Sequence, residues 1–131
     1  MAASDNVVRA GLTPKFKDVD VLVEMLTYHY GSAESQKMTP QSFGSHSLLY
    51  DPPIDEFSVA LTTLKSGETE QHKPIAGPSI LIVTSGSGNM SVQGSTYPLQ
   101  EGYVYFVGAN VEISAETPSG LEFYRAFTVP T

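Results

Sequence analysis

Ser79-Ile-Leu-Ile-Val-Thr-Ser-Gly-Ser-Gly-Asn-Met-Ser-Val-Gln-Gly-Ser-Thr-Tyr-Pro-Leu-Gln-Glu-Gly-Tyr-Val-Tyr-Phe-Val107 is the stretch that decides the fold. It opens on a continuous apolar run after Gly77-Pro78, which reads as a central strand. Ser85-Gly-Ser-Gly88 reads as a tight turn into Asn89-Met-Ser-Val-Gln93, and Gly94-Ser95 closes that hairpin. Thr96-Tyr-Pro-Leu99 leads to the next apolar run, Tyr103 to Val107.

The same grammar continues on both sides. Downstream, Gly108-Ala-Asn110 turns, Val111-Glu-Ile-Ser-Ala115 alternates, Pro118-Ser-Gly120 turns, and Leu121 to Val129 forms a last strand. Upstream, Phe57 to Leu64 alternates, with Phe57, Val59 and Leu61 on one face and Ser58, Ala60 and Thr62 on the other. Ser66-Gly67 is a turn. Strands spaced at roughly eight to twelve residues with turn chemistry between them predict an antiparallel sandwich or barrel.

Composition supports a mainly β chain. Nine Pro, eleven Gly and 16% charged residues in 131 fit many turns around one core. A net charge of −7 and a pI near 4.7 argue against non-specific binding to nucleic acid or to an anionic membrane. A phosphate-bearing ligand stays compatible, because a few basic residues act locally. Without cysteine there is neither a disulfide framework nor a thiolate metal site. The first residues lack the pattern of a signal peptide, and the longest apolar runs are about five residues, too short to span a membrane. A cytoplasmic setting is expected.

The N-terminal part reads differently. Ser4 to Val19 packs Arg9, Lys15, Lys17, the Asp5-Asn6 pair, Gly11 and Pro14 into sixteen residues. Asp18 is suited to cap a helix over about 19–28, whose Val19, Leu22, Val23 and Leu26 form one apolar stripe expected to be buried. Residues 1–30 are therefore read as a motif loop plus helix. Residues 31–47 are a seventeen-residue polar loop, and 48–131 are the β domain, within one folding unit.

The strands from Ser79 to Val107 resemble half of a cupin, a small jelly-roll barrel. Many cupins hold a metal with a His-x-His pair, a Glu and a later His. Here the matching neighbourhood offers only Glu68, Glu70 and His72, and the later position has Asn110. The barrel is therefore expected to be metal-free. His72 with its two glutamates reads as a solvated hairpin tip. His29, His46 and His72 are too scattered to suggest a zinc site.

A more specific resemblance begins at the N-terminus. Ser4 to Tyr28, Tyr50-Asp-Pro-Pro-Ile-Asp-Glu-Phe-Ser-Val59, Gly77 to Thr84 and the final Tyr124-Arg-Ala-Phe127 resemble type I mannose-6-phosphate isomerases. The resemblance covers essentially the whole chain but only the C-terminal third of such an enzyme. It implies an isomerase of carbohydrate metabolism, on the route to GDP-mannose, that interconverts mannose 6-phosphate and fructose 6-phosphate with bound zinc. The family's zinc ligands lie upstream of this motif, so none is carried over. The family's active-site Arg falls on Arg9, and a Lys on the phosphate side falls on Lys15. Read from the residues alone, Arg9 is a surface or paired arginine. A guanidinium's fixed fork of donors also suits developing oxyanion charge. Asp5 and Asn6 either orient Arg9 or form a turn.

Three expectations follow from the resemblance. The chain alone is inactive and holds no zinc. Its partners are a sugar phosphate in the whole enzyme, and either the missing N-terminal portion or a second copy of itself. The competing reading is a standalone metal-free cupin module that binds a sugar or a protein.

Overall fold

The computed structural model describes residues 8–12 and 14–129. The chain divides into two compact units, 1–37 and 38–131.

The described residues of the first unit include a short helix, α1 (Val19–Glu24). Asp18 caps it as expected, its Oδ1 accepting from the Val21 N–H at 3.1 Å. The helix stops at Glu24, well short of Tyr28, and none of its residues is buried. The expected buried stripe is therefore absent within this unit. Three of the six residues are valines, whose stiff side chains disfavour helix, and six residues are too few to persist without packing. Tyr28 adopts φ 53°, which forbids continuation. A 3-10 turn, Glu34–Gln36, lies near the end of the unit.

The second unit is the β domain. Its strands are β1 (Gln41–Ser42), β2 (Ser47–Tyr50), β3 (Ser58–Leu64), β4 (Thr69–His72), β5 (Ser79–Val92), β6 (Ser95–Gln100), β7 (Val104–Val107), β8 (Ile113–Glu116) and β9 (Leu121–Phe127). All the pairs are antiparallel. One sheet runs β1-β2-β3-β9-β5-β7 and the other β4-β8-β5-β6. Strand β5 belongs to both, so the architecture is a curled, cupin-like half-barrel.

That double membership corrects the expected turn at Ser85–Gly88. The segment stays extended within one fourteen-residue strand. A bulge between Val83 and Ser85 and a positive φ at Gly86 (79°) redirect the strand from one sheet to the other. The true reversal lies at Gln93-Gly94, where φ is 48° and 84° and Val92 pairs with Ser95, as in a two-residue hairpin of the primed type. Strand β4 also departs from expectation. Glu70 and His72 are buried, with 5% and 2% exposure, so they do not sit on a solvated tip. Thr69 and Gln71 face outward while Glu70 and His72 face inward along a strand paired with β8. The tip itself is at Gly67, φ 82°.

Leu81, Val83, Phe123, Leu99 and Ile113 form the centre of the main apolar cluster. A second, smaller cluster holds Ala60, Ile75 and Phe127, with Phe43 and Leu49 against it. In β3 the buried set is Ala60, Thr62 and Leu64, while Phe57, Val59 and Leu61 face away. The outward side of the first sheet is consequently apolar across five strands. One row runs Phe106–Ile80–Ala126–Val59–Tyr50, and the next runs Val104–Ile82–Tyr124–Leu61–Leu48.

Glycine at the crossing is a steric requirement. A Cβ on Gly86 would lie 2.2 Å from the Gly120 carbonyl oxygen, whereas one on Gly67, at a similar φ, meets nothing within 4 Å. Gly67→Ala should therefore cost only the left-handed backbone term, about 1 kcal/mol. Gly86→Ala should cost at least about 2 kcal/mol more, because backbone must move. Urea unfolding midpoints compare the two, and equal losses would contradict the crossing geometry.

Candidate functional site

Two groups of residues carry chemistry. The first is the N-terminal motif. Arg9 and Lys15 lie on irregular chain and are exposed. Asp5 and Asn6 lie outside the described residues. The described part of this segment thus presents two exposed cationic side chains.

The second group was not singled out from the sequence as a set. Ser47, Thr62, Glu70, His72, Ser79 and Arg125 come from five different strands, and all are buried. Arg125 is fully buried. Its Nε donates to Ser79 Oγ at 2.9 Å, and its Nη1 lies 3.4 Å from His72 Nδ1. His72 Nε2 lies 2.9 Å from Thr62 Oγ1 and 3.1 Å from Ser47 Oγ. Ser47 and Thr62 hydroxyls are 2.8 Å apart, and Ser47 donates to Glu70 Oε1 at 3.0 Å. Glu70 Oε2 also accepts the His46 N–H at 3.1 Å.

The ends of this string set the direction of every proton in it. A guanidinium only donates, so His72 Nδ1 is the acceptor and the neutral ring carries its proton on Nε2. The Ser47 proton is committed to Glu70, so Thr62 donates to Ser47 and accepts from His72. The donors therefore run Arg125, His72, Thr62, Ser47, ending on the Glu70 carboxylate. The string joins a buried cation to a buried anion through three neutral groups. The rings of Phe43 and Phe123 flank His72, with centroids 5.2 and 5.6 Å away. Among the described side-chain atoms only Arg125 Nη2 is buried without a partner.

Burial, reinforced by the Arg125 charge, lowers the His72 pKa to about 4. Burial also lowers Arg125, to about 10, which leaves it a cation at neutral pH. His46 stands apart, its Nδ1 3.4 Å from Glu68 Oε2 near the surface. No group of three or more His, Cys, Asp or Glu side chains is placed to hold a metal ion among the described residues. The Arg125 guanidinium stands inside the barrel, and its charge opposes a divalent cation there. The described residues therefore do not fit a zinc site. No helix among the described residues is long and apolar enough to cross a membrane. Among the strand aromatics Phe123 and Phe127 are core, while Tyr97, Tyr105 and Phe106 border an open 230 Å³ cleft.

Comparison with known proteins agrees with the resemblance. Residues 47–95 match the family described as phosphomannose isomerase type I C-terminal. The chain is 51% identical to the mannose-6-phosphate isomerase of Emericella nidulans over 98% of its own length and 31% of that protein's. It is 45% identical to the Saccharomyces cerevisiae enzyme over 99% and 32%. The chain thus spans about a third of the length of the relatives it matches. The crystal structure of mannose 6-phosphate isomerase from Salmonella typhimurium, bound to substrate and zinc, is similar over 99% of this chain and 32% of that one, with TM-score 0.78 and 25% identity. A cupin domain of an Enterobacter cloacae transcriptional regulator is similar in fold alone, with TM-score 0.57 at 14% identity over 66% of this chain and 99% of that domain.

The buried histidine makes a pH-dependent contribution to stability. Below about pH 6.5 the unfolded state protonates His72 while the folded state resists until about pH 4. The unfolded state then binds more protons, so stability falls as pH drops through this window, by up to about 3 kcal/mol. Unfolding free energies measured from pH 7 to 4 should show that loss in the wild type and a flatter profile in His72→Gln. Parallel profiles would rule out a depressed His72.

Proposed function

We propose that this chain, which corresponds over nearly its whole length to the C-terminal third of a type I mannose-6-phosphate isomerase, contributes the C-terminal barrel of such an enzyme. The activity is interconversion of mannose 6-phosphate and fructose 6-phosphate. One observation carries the reading. The likeness to the substrate- and zinc-bound Salmonella enzyme extends through 99% of this chain, N-terminal motif included.

In this reading the chain's chemistry lies at its exposed N-terminal motif and not inside its barrel. Moving a proton between adjacent sugar carbons develops negative charge on oxygen, and Arg9 stabilises that charge with its planar donors. Lys15 attracts the substrate phosphate as a point charge. Asp5 and Asn6 orient Arg9. Zinc is held by the remaining two thirds of the enzyme. The barrel interior around Arg125 is occupied by its own hydrogen-bonded string. The chain alone is therefore inactive, and the active enzyme works in the cytoplasm.

The alternative, a standalone metal-free cupin module, draws on the same interior: a barrel whose centre is an arginine has no need of a metal. The two readings separate in one assay. With zinc added, the chain alone should turn over mannose 6-phosphate no faster than a protein-free blank. Co-expression with the N-terminal two thirds of a relative should restore turnover, and Arg9→Ala should lower it at least about 100-fold. Turnover by the chain alone, or restored turnover indifferent to Arg9→Ala, would reject the assignment.

A further inference from the structure

We infer that the outward face of the β1-β2-β3-β9-β5-β7 sheet is a docking surface for the N-terminal two thirds of an isomerase of this family. The inference rests on the function proposed above and adds the location of the interface.

Strand pairing shows how unusual this face is. An antiparallel sheet with one face on a core normally alternates apolar inward and polar outward. Here both faces are apolar. In the rows that run Phe106 to Tyr50 and Val104 to Leu48, all ten outward positions are aliphatic or aromatic, and none is charged. The side chains at the β5-β7 end are open to solvent. Phe106 is 75% exposed, Val104 57%, Ile80 54% and Ile82 43%. Scattered exposed apolar residues are ordinary, but a contiguous patch across five strands marks a surface that another body covers.

The boundary of the patch points the same way. One register step beyond the second row, the outward positions become Thr63, Glu122 and Thr84, and Thr84 Oγ1 donates to the Glu122 carboxylate at 2.7 Å. The face thus has an uncharged centre that gives way on this side to polar, hydrogen-bonded positions, as the margin of a protein interface does.

The occupant follows from length. This chain matches only 31% of the Emericella relative and 32% of the Salmonella structure, over 98% and 99% of itself. A polypeptide twice its size accompanies this fold in those proteins. A second copy of the chain would also bury apolar surface, but it would leave that larger body without a place on a domain whose inner face is already filled.

The test pairs this chain with the N-terminal two thirds of the 51% identical relative and measures association by light scattering, without substrate. A one-to-one complex is expected. Ile82→Lys with Phe106→Glu should weaken it at least about 100-fold, while Ser95→Lys on the other sheet leaves it unchanged. A fused chain guards against an N-terminal part that does not fold alone. The wild-type fusion should unfold in one transition and the double variant in two. An unaffected complex, a single transition in both fusions, or a homodimer of this chain split by the same pair of substitutions would overturn the inference. A complex that forms through this face yet shows no turnover would leave the docking surface standing and reject the proposed function instead.

Discussion

The hydrogen-bonded string from Arg125 to Glu70 is the constraint on which the rest of the β domain depends. A fully buried guanidinium is costly unless its charge is answered within the fold. Here the answering carboxylate does not touch it. His72, Thr62 and Ser47 stand between them, each donating to the next. Every group in the string is oriented by the two ends, so the arrangement has one consistent set of proton positions. The string ties β2, β3 and β9 of one sheet to β4 of the other, and Ser79 extends it to the shared strand β5. Removing one member would leave its neighbours buried and unsatisfied, which costs more than the bond itself is worth.

The string also explains which way the neighbouring strands face. Strand β3 carries a large apolar set and a smaller, more polar set. The smaller set turns inward because Thr62 is required beside His72 and because Ala60 leaves room opposite Arg125, its partner in the register. The large set, Val59 and Leu61, is then forced outward, where it extends the apolar rows of β5 and β9. The apolar exterior of β3 thus goes with the small, inward-facing Ala60 and Thr62 that the string requires. The N-terminal motif and the barrel differ in character. The motif carries exposed cations on irregular chain, whereas Arg125, His72 and Glu70 of the barrel are buried and joined to each other through the string.

Much of this was legible in the residue order. The apolar run Ile80 to Val83 reads as a strand flanked on both sides, and it pairs with β7 and β9 in the middle of the sheet. The alternation of Phe57 to Leu64 gives the right strand and the right two faces. Asp18 reads as a helix cap and is one. The resemblance carried by the N-terminal motif and the final Tyr124-Arg-Ala-Phe127 agrees with the curated relatives. Arg125 stood within that final motif, but nothing local distinguishes a buried arginine from a surface one. Its partners are 46 and 53 residues away in the chain.

The sequence by itself determined the strand runs from Ser58 to Leu64, Val104 to Val107 and Leu121 to Phe127, the cap at Asp18 and the kinship, because each rests on residues that are neighbours in the chain. Tertiary structure alone decided the rest. It extended β5 through two glycines that read as a turn, since Gly86 answers to the approach of Gly120 and not to its own neighbours. It shortened α1, whose apolar stripe has nothing to bury against in its own unit. It placed Glu70 and His72 inside, because a two-residue period assigns faces only relative to a partner strand, here β8. These outcomes depend on which distant backbone lies alongside, and that information is held in pairing and packing, not in local order.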